Sequence, residues 1–326
     1  MTLPYTMRLL CLCCASFFMI HLALAMTARL GAGTAIRIAE HLKPSSAARL
    51  LFLVRMAPMV LALFAVLAFC VPSYLWLEPV ATGEKVGLFC VLTAALGFTV
   101  WASALLRVVG AVRGTNRYLH ECARHGRRIT VPGDKSPALL LAAKMPVIAV
   151  AGVFRPQLVI SRQVMRGLSP EQREAALRHE RAHCTSGDNL KRFFILLAPD
   201  ALPFWGTFGV MERAWSRFTE WAADDQASEG DPERALSLAS ALVRVAKMGS
   251  KPRIGYLSCS LVGGAQELSE RVDRLLRPQP KPEKPVRELI ALFTGAGALT
   301  ASALGIVLIW PGSLSAVHQA LEHLLH

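Results

Sequence analysis

Long apolar runs constrain this chain more than any other feature of its sequence. Hydrophobic residues make up 53% of the 326 residues, and they cluster in runs close to the ~20 residues that cross a bilayer as a helix. The runs predict spans at about 9–27, 51–77 and 86–109, and a fourth within 288–311. Such clustering is not typical of a soluble globular chain. Arg55 falls near the start of the second run, and we expect it to extend to the membrane interface.

The charges of the short connections predict the orientation. The first connection is rich in basic residues (Arg29, Arg37, Lys43 and Arg49 against Glu40), whereas the second is acidic (Glu78 and Glu84 against Lys85). Basic loops stay on the cytoplasmic side. We therefore expect both termini outside, a membrane domain over 1–109, a cytoplasmic domain over 110–287, the fourth span within 288–311, and a short outside tail over 312–326. The tail reads as an interfacial helix over 315–326.

An alternative for the first run is a cleaved secretory signal, because Arg8 precedes it and Ala23-Leu24-Ala25 resembles a cleavage site. Cleavage would leave the basic 29–49 segment facing outward, against the charge rule. A retained span is therefore the favoured reading.

The net charge of +13 indicates a surface that adheres to anionic lipid rather than a nucleic-acid site. The basic residues are interspersed with acidic ones rather than bunched, so the bias towards positive charge inside accounts for them. We expect the lipid bilayer as a partner and no direct contact with nucleic acid.

The pentapeptide His179-Glu180-Arg181-Ala182-His183 carries the chemistry. Ser169 can cap a helix there, Pro170 suits its first position and Gln172 completes a capping box, so the sequence predicts a helix to residue 184. Two histidines four residues apart lie on one helix face and can bind a zinc ion together.

A catalytic zinc needs a third protein ligand and one open position. Glu220, on a predicted later helix, completes a set with His179 and His183, and we expect one zinc per chain. Glu180 lies next to the metal without binding it, which suits a general base that takes a proton from water.

Asp188 and Asp224 are candidates to orient the ligand histidines, since a carboxylate that accepts the second ring N–H fixes the tautomer of a metal-binding imidazole. A solvated surface charge is the alternative for either residue, and it is the better interpretation for Asp225.

Strand signals precede the metal helix, and helix signals follow it. Short strands are predicted at 128–131, 147–150 and 157–161, and amphipathic helices at 232–248 and 265–276. An edge of this small sheet could hold an extended substrate by strand addition, or the hairpin could be purely structural.

The apolar segment 193–210 is expected to pack on the domain or to dip into the inner interface without crossing. Pro199, Asp200 and Pro203 interrupt it. A crossing would separate His183 from Glu220 by about 30 Å of hydrocarbon, which no metal site can bridge.

Several of these motifs together resemble the metallopeptidase domain of the BlaR/MecR family of bacterial membrane sensor-transducers. They are Gly152-Val153-Phe154-Arg155-Pro156, Leu158-Val159-Ile160-Ser161, the His179 to His183 motif with Asp188 after it, Glu220 with Ala223-Asp224, and weakly Leu268-Ser269-Glu270-Arg271-Val272. The resemblance implies a multi-pass α-helical membrane protein with an inserted α+β, gluzincin-like metallopeptidase domain. It also implies location in a bacterial inner membrane and a cytoplasmic protein substrate, with a transcriptional repressor as one candidate.

The family members that sense β-lactams continue into a large outside penicillin-binding domain, whereas only residues 311–326 follow the predicted last span here. The β-lactam sensor role is therefore not expected. Three hypotheses stay open: an active membrane zinc endopeptidase of this family, a non-catalytic transducer with a peptidase-like domain, and a membrane protease of the heat-shock or prenyl-protein type. A scaffold would need the ligands but not the base Glu180, which favours the enzyme.

Overall fold

The computed structural model describes residues 4–77, 86–131, 137–142, 146–200, 208–249, 257–261, 265–277 and 313–325. These residues form long apolar helices joined to a second part in which helices surround one sheet. The predicted fourth span, within 288–311, lies outside the described residues.

Among the described residues, three helices are long and apolar enough to cross a membrane. They are α1 (Tyr5–Leu30), the helix Pro44–Leu77, and α5 (Leu88–His125). The second consists of α3 (Pro44–Ala65), one π-helical turn (Val66–Cys70) and α4 (Val71–Leu77), and α2 (Ala32–Glu40) precedes it. A helix pairs its backbone N–H and C=O groups internally, as a membrane span must, because lipid hydrocarbon offers them no hydrogen-bond partners. The first three predicted spans lie within these helices, apart from the two residues that precede α5.

The helix α1 packs against both α3 and α5. Gly97 of α5 marks a close approach of the two helices, because a Cβ atom there would clash with the Cys14 carbonyl oxygen of α1. Membrane helices associate through such close packing, since lipid offers no hydrophobic driving force between them.

The helix α5 continues without a break across residue 110 and reaches a five-stranded sheet. Tyr118, Leu119 and Cys122 near its end pack on one face of that sheet. The strands are β1 (Gly126–Ile129), β2 (Ala138–Leu141), β3 (Ile148–Ala151), β4 (Gln157–Ser161) and β5 (Ser258–Ser260). Their order is β1-β2-β4-β3-β5, with β2 and β4 parallel and the other pairs antiparallel.

Three strands coincide with or overlap the predicted ones, and the sequence did not predict β2 or β5. Of the two readings of the hairpin of β3 and β4, the structural one is favoured, because both strands lie inside the sheet and its edges are β1 and β5. β5 pairs along β3, with Cys259 opposite Val150.

Six further helices surround the sheet in the described part of the chain: α6 (Arg162–Gly167), α7 (Pro170–Ser186), α8 (Asp188–Leu197), α9 (Gly209–Ser228), α10 (Pro232–Lys247) and α11 (Ala265–Leu276). The two predicted amphipathic helices are α10 and α11. Ile148 and Ile160 of the sheet form a core with Ala176 of α7 and with Leu238 and Leu242 of α10.

The helix α9 packs on the second membrane helix and on α7, and only its end reaches the core of the sheet, through Ala227. Met211, Trp215 and Phe218 of α9 are buried in one cluster with Leu51 and Met59 of α3. A membrane helix therefore forms part of the core that positions α9.

The segment 193–210 packs against the same cluster, as far as it is described. Ile195, Ala198 and Phe208 are buried there, and residues 201–207 lie outside the described residues. The helices on its two sides bring His183 and Glu220 together. That the segment does not cross the membrane stays a prediction.

The side chain of Arg55 is 2% exposed and forms an ion pair with Glu212 of α9 at 2.9 Å. The sequence did not predict this partner, and the position of Arg55 at the membrane interface stays a prediction. Burying a guanidinium is tolerated only where it finds such partners.

The tail forms α12 (Ser313–Leu325), close to the predicted helix. Val317 and Leu321 pack with Tyr74 and Cys90, in the cluster formed by the ends of the spans. The sheet lies at the opposite end of α5, so α12 and the sheet occupy opposite ends of the long helices.

Replacing Gly97 by Ala is expected to lower the free energy of unfolding of the purified protein by about 1–3 kcal/mol, because the new Cβ forces α1 and α5 apart. Gly110→Ala is the matched control, since a Cβ at Gly110 meets no atom within 4 Å and Ala is the better helix former. Thermal unfolding midpoints in detergent measure both changes. Equal midpoints for the two variants would contradict the close contact.

Candidate metal centre

The helix α7 begins with the predicted capping box. The Ser169 Oγ accepts a hydrogen bond from the Gln172 amide at 3.2 Å, and the Gln172 side chain accepts one from the Ser169 amide at 3.1 Å. Pro170 occupies the first turn, and Gly187 ends the helix with a φ of 66°, a left-handed conformation that suits glycine. The helix therefore carries its two histidines on one buried face.

Three predicted ligands converge between α7 and α9. The Nε2 atoms of His179 and His183 are 3.1 Å apart. Glu220 places Oε2 at 3.5 Å from His179 Nε2, and Oε1 at 3.6 Å from His183 Nε2. A tetrahedral zinc with bonds of 2.0–2.2 Å separates its ligand atoms by about 3.3–3.6 Å. The two glutamate–histidine distances match this range and the distance between the histidines is about 0.2 Å shorter, so the three residues can hold one metal ion.

Positive charge keeps Glu220 ionised. Burial alone raises the pKa of Glu220, but His183 and Arg271 outweigh burial and hold that pKa well below its usual range. The Arg271 Nη1 atom lies 3.0 Å from Glu220 Oε2. An ionised carboxylate is the form that binds a metal.

Glu180 lies between the two histidines in sequence and is fully buried. Its Oε2 accepts a hydrogen bond from the Val150 amide of β3 at 3.0 Å, and its Oε1 has no hydrogen-bond partner among the described residues. Burial raises the pKa of Glu180 to about 7, although His179 and His183 act to lower it. A carboxyl group with a pKa near neutrality can both take and return a proton.

The two candidate orienting carboxylates each reach a ligand histidine. Asp188 Oδ2 lies 2.8 Å from His183 Nδ1, and Asp224 Oδ1 lies 3.0 Å from His179 Nδ1. These contacts leave the Nε2 atoms to face the ligand position. Asp225 points elsewhere: its side chain is 40% exposed and pairs with Arg274.

Arg271 of α11 is the residue that sequence reasoning missed. Its buried guanidinium donates to both oxygens of Asp224 at 2.6 and 2.8 Å and to the Leu261 carbonyl at 2.7 Å. Burial raises the pKa of Asp224, but Arg271 and His179 outweigh it and the pKa is lowered overall. One signal was present in the sequence: Arg271 occupies the apolar stripe of α11, between Leu268 and Leu275, where a charge needs a buried partner.

Asn189 was also missed. Its side-chain amide nitrogen, Nδ2, donates to the backbone carbonyls of Val150 at 3.1 Å and Gly152 at 2.9 Å. Since Glu180 accepts from the Val150 amide, the metal helix and the start of α8 are both held on β3.

Apolar helices of membrane length, a buried group of two histidines and a glutamate, and an adjacent carboxyl group together define a membrane metallopeptidase. The family comparison agrees: the chain matches the family model of the BlaR1 peptidase M56 over residues 73–275 and belongs to that family. The match covers most of α4, all of α5, the sheet and nearly all of α11. A comparison with curated proteins found no match.

Asp224→Ala is expected to weaken metal binding by about 10- to 100-fold, the usual cost of losing a partner that orients a ligand histidine. Asp225→Ala is the matched control on the same helix, because its side chain reaches Arg274 and not a ligand. Competition with a chromophoric chelator measures both affinities. Equal affinities would show that Asp224 does not support His179.

Proposed function

We propose that this protein is an integral-membrane zinc endopeptidase that cleaves a protein at the cytoplasmic face of a bacterial inner membrane. One observation carries the proposal: the ligand set His179, His183 and Glu220 forms around Glu180, a buried carboxyl group suited to acid–base work. The two histidines on one helix and the glutamate on a later helix give the domain a gluzincin-like arrangement.

Zinc fits the donor set best, because two imidazoles and one carboxylate leave a fourth position open in catalytic zinc sites. His179, His183 and Glu220 would hold one zinc per chain, and a zinc bound there would supply a Lewis acid that polarises a peptide carbonyl and activates water. The chain's own residues prepare that position. Asp188 and Asp224 hold the imidazoles, and Arg271 balances the charge of Glu220.

Glu180 acts as the general base and then as the acid. The Val150 amide holds its Oε2, so Oε1 is the oxygen that takes a proton from the attacking water. The same carboxyl group then delivers that proton to the departing amine, which completes hydrolysis of the peptide bond. Burial supports this role, since it keeps the pKa of Glu180 close to the working pH.

The charge pattern of the connections supports a cytoplasmic peptidase domain with both termini outside. The contact of α12 with the end of the spans remote from the sheet favours the same arrangement. The substrate is then a cytoplasmic protein, and membership of the BlaR1 peptidase family favours a transcriptional repressor cleaved in signal transduction.

The non-catalytic transducer remains the second candidate from a different class. It needs the metal ligands but has no use for a buried carboxyl group with an unpartnered oxygen, which costs free energy. The family match favours the BlaR1 type over the heat-shock or prenyl-protein type.

Glu180→Gln is expected to keep the metal while cleavage falls by about 10²–10⁴-fold, the usual contribution of a general base. Glu220→Ala is expected to lose the metal, because two ligands bind zinc far more weakly than three. The readouts are metal content and the cytoplasmic fragments formed by each variant in cells. Glu174→Gln is the control, since Glu174 is 62% exposed on the same helix. Fragments that persist with Glu180→Gln would reject the mechanism.

Single cysteines in a cysteine-free background test the orientation. Cysteines replacing Glu174 or Glu229 are expected to react with a membrane-impermeant maleimide only from the cytoplasmic side, and one replacing Gln319 of α12 only from outside. All three positions are exposed. Labelling at Glu229 from outside would place the peptidase domain on the wrong side for a cytoplasmic substrate.

A further inference from the structure

Arg55 is a buried charge that the proposed reaction does not use. It lies on α3 within the second membrane helix, and its Nε donates to Glu212 Oε1 at 2.9 Å. Glu212 belongs to the first turn of α9. The guanidinium also lies over the Phe208 ring, 4.3 Å from its centroid. Arg55 is therefore fixed to the start of the helix that carries Glu220.

The same guanidinium reaches the end of α8. Its Nη2 donates to the Ala198 carbonyl at 3.0 Å and to the Ile195 carbonyl at 3.4 Å. The last carbonyls of a helix have no partner within the helix and carry partial negative charge, so a cation is favourable there. Arg55 thus caps α8 and contacts the start of α9 at one point.

Arg107 of the third membrane helix supports the same connection. Its Nη1 pairs with Asp200 Oδ2 at 2.6 Å, while Arg55 lies 3.4 Å from the other oxygen of that carboxylate. Two membrane helices therefore hold the residues that directly follow α8, Ala198 and Asp200.

Both held elements lead directly to the metal centre. The first residue of α8, Asp188, accepts the hydrogen bond of His183, and α8 spans about 15 Å from there to the end that Arg55 caps. Glu220 lies eight residues after Glu212 on α9, about 12 Å along the helix. A displacement of Arg55 would therefore move the third ligand relative to the histidines, which the sheet holds through Val150.

We infer that Arg55 is a positioning residue for the metal centre: from the second membrane span it fixes the end of α8 and the start of α9, and so sets the distance between Glu220 and the histidine pair. The inference rests on the proposed metal site. It identifies a route by which a movement of the second span changes metal affinity.

Arginine suits this role better than lysine. Its planar guanidinium presents several donors in fixed directions, so it can hold a carboxylate and two carbonyls at once, whereas an ammonium group is a single mobile centre. Arg55→Lys should therefore keep the charge and recover only part of the effect.

The test measures zinc affinity of the full-length protein in detergent by competition with a chromophoric chelator. Arg55→Met and Glu212→Gln are each expected to weaken zinc binding by about 2- to 30-fold, the range for residues that act through a shared element. Their effects should not add in the double variant, because both remove the same contact. Glu212 is 37% exposed, so Glu212→Gln tests the contact even where Arg55→Met fails to fold.

Arg8→Met is the matched control. Arg8 is also 2% exposed within a membrane helix, but it lies over the Tyr5 ring, about 25 Å along α1 from Ala25, the part of α1 that is buried in the cluster with α9. Its loss should change thermal stability without changing zinc affinity. An equal loss of affinity in Arg8→Met would show a general effect of burying an altered side chain and would overturn the inference.

Glu220→Ala separates this inference from the proposed function. If Glu220→Ala loses zinc while Glu212→Gln binds it as tightly as the wild type, the metal site stands and the positioning role of Arg55 is wrong. If Glu220→Ala keeps full zinc occupancy, the metal site itself is wrong and the inference fails with it.

Discussion

The metal centre depends on the buried ion pair between Arg271 and Asp224. Glu180, Glu220 and Asp224 place three carboxyl groups in one small buried volume, where like charges repel and few waters can screen them. Arg271 contacts two of the three directly. Because its Nη1 also donates to the Leu261 carbonyl, the same side chain joins α11 and the end of β5 to α9. Arg271 therefore both neutralises the buried carboxylates and holds these elements of the domain together.

The sequence predicted those parts of the structure whose signals are local. The capping residues of α7, the spacing of its histidines and the length of the first three apolar runs each depend on neighbouring residues, and the corresponding helices formed as expected. β2 and β5 were missed because their residues, Ala138–Leu141 and Ser258–Ser260, include no β-branched or aromatic side chain to signal a strand. Arg55 and Arg271 were not assigned partners, for a different reason. Their partners lie 157 and 47 residues away in sequence, so only the folded chain shows that they are paired.

The long helices belong to the catalytic domain as much as to the membrane. The helix α5 runs unbroken from Leu88 to His125, so no loop separates the predicted membrane domain from residue 110, and its last turns form one face of the sheet core. The helix α3 supplies the apolar surface on which α9 is buried. The apolar residues that position the site are therefore buried partly against the membrane helices. A fragment without those helices would expose part of the domain's core.

The ligands consequently come from two differently anchored parts of the molecule. The histidine pair belongs to α7, which Glu180 and the neighbouring Asn189 tie to β3. Glu220 belongs to α9, which the second span holds through apolar contacts and through Arg55. A metal ion bound by all three ligands would join these parts, and its binding free energy would stabilise the arrangement in which they fit. By the same linkage, any movement of the span that separates the two parts must weaken the metal site, so the membrane and the site cannot be energetically independent.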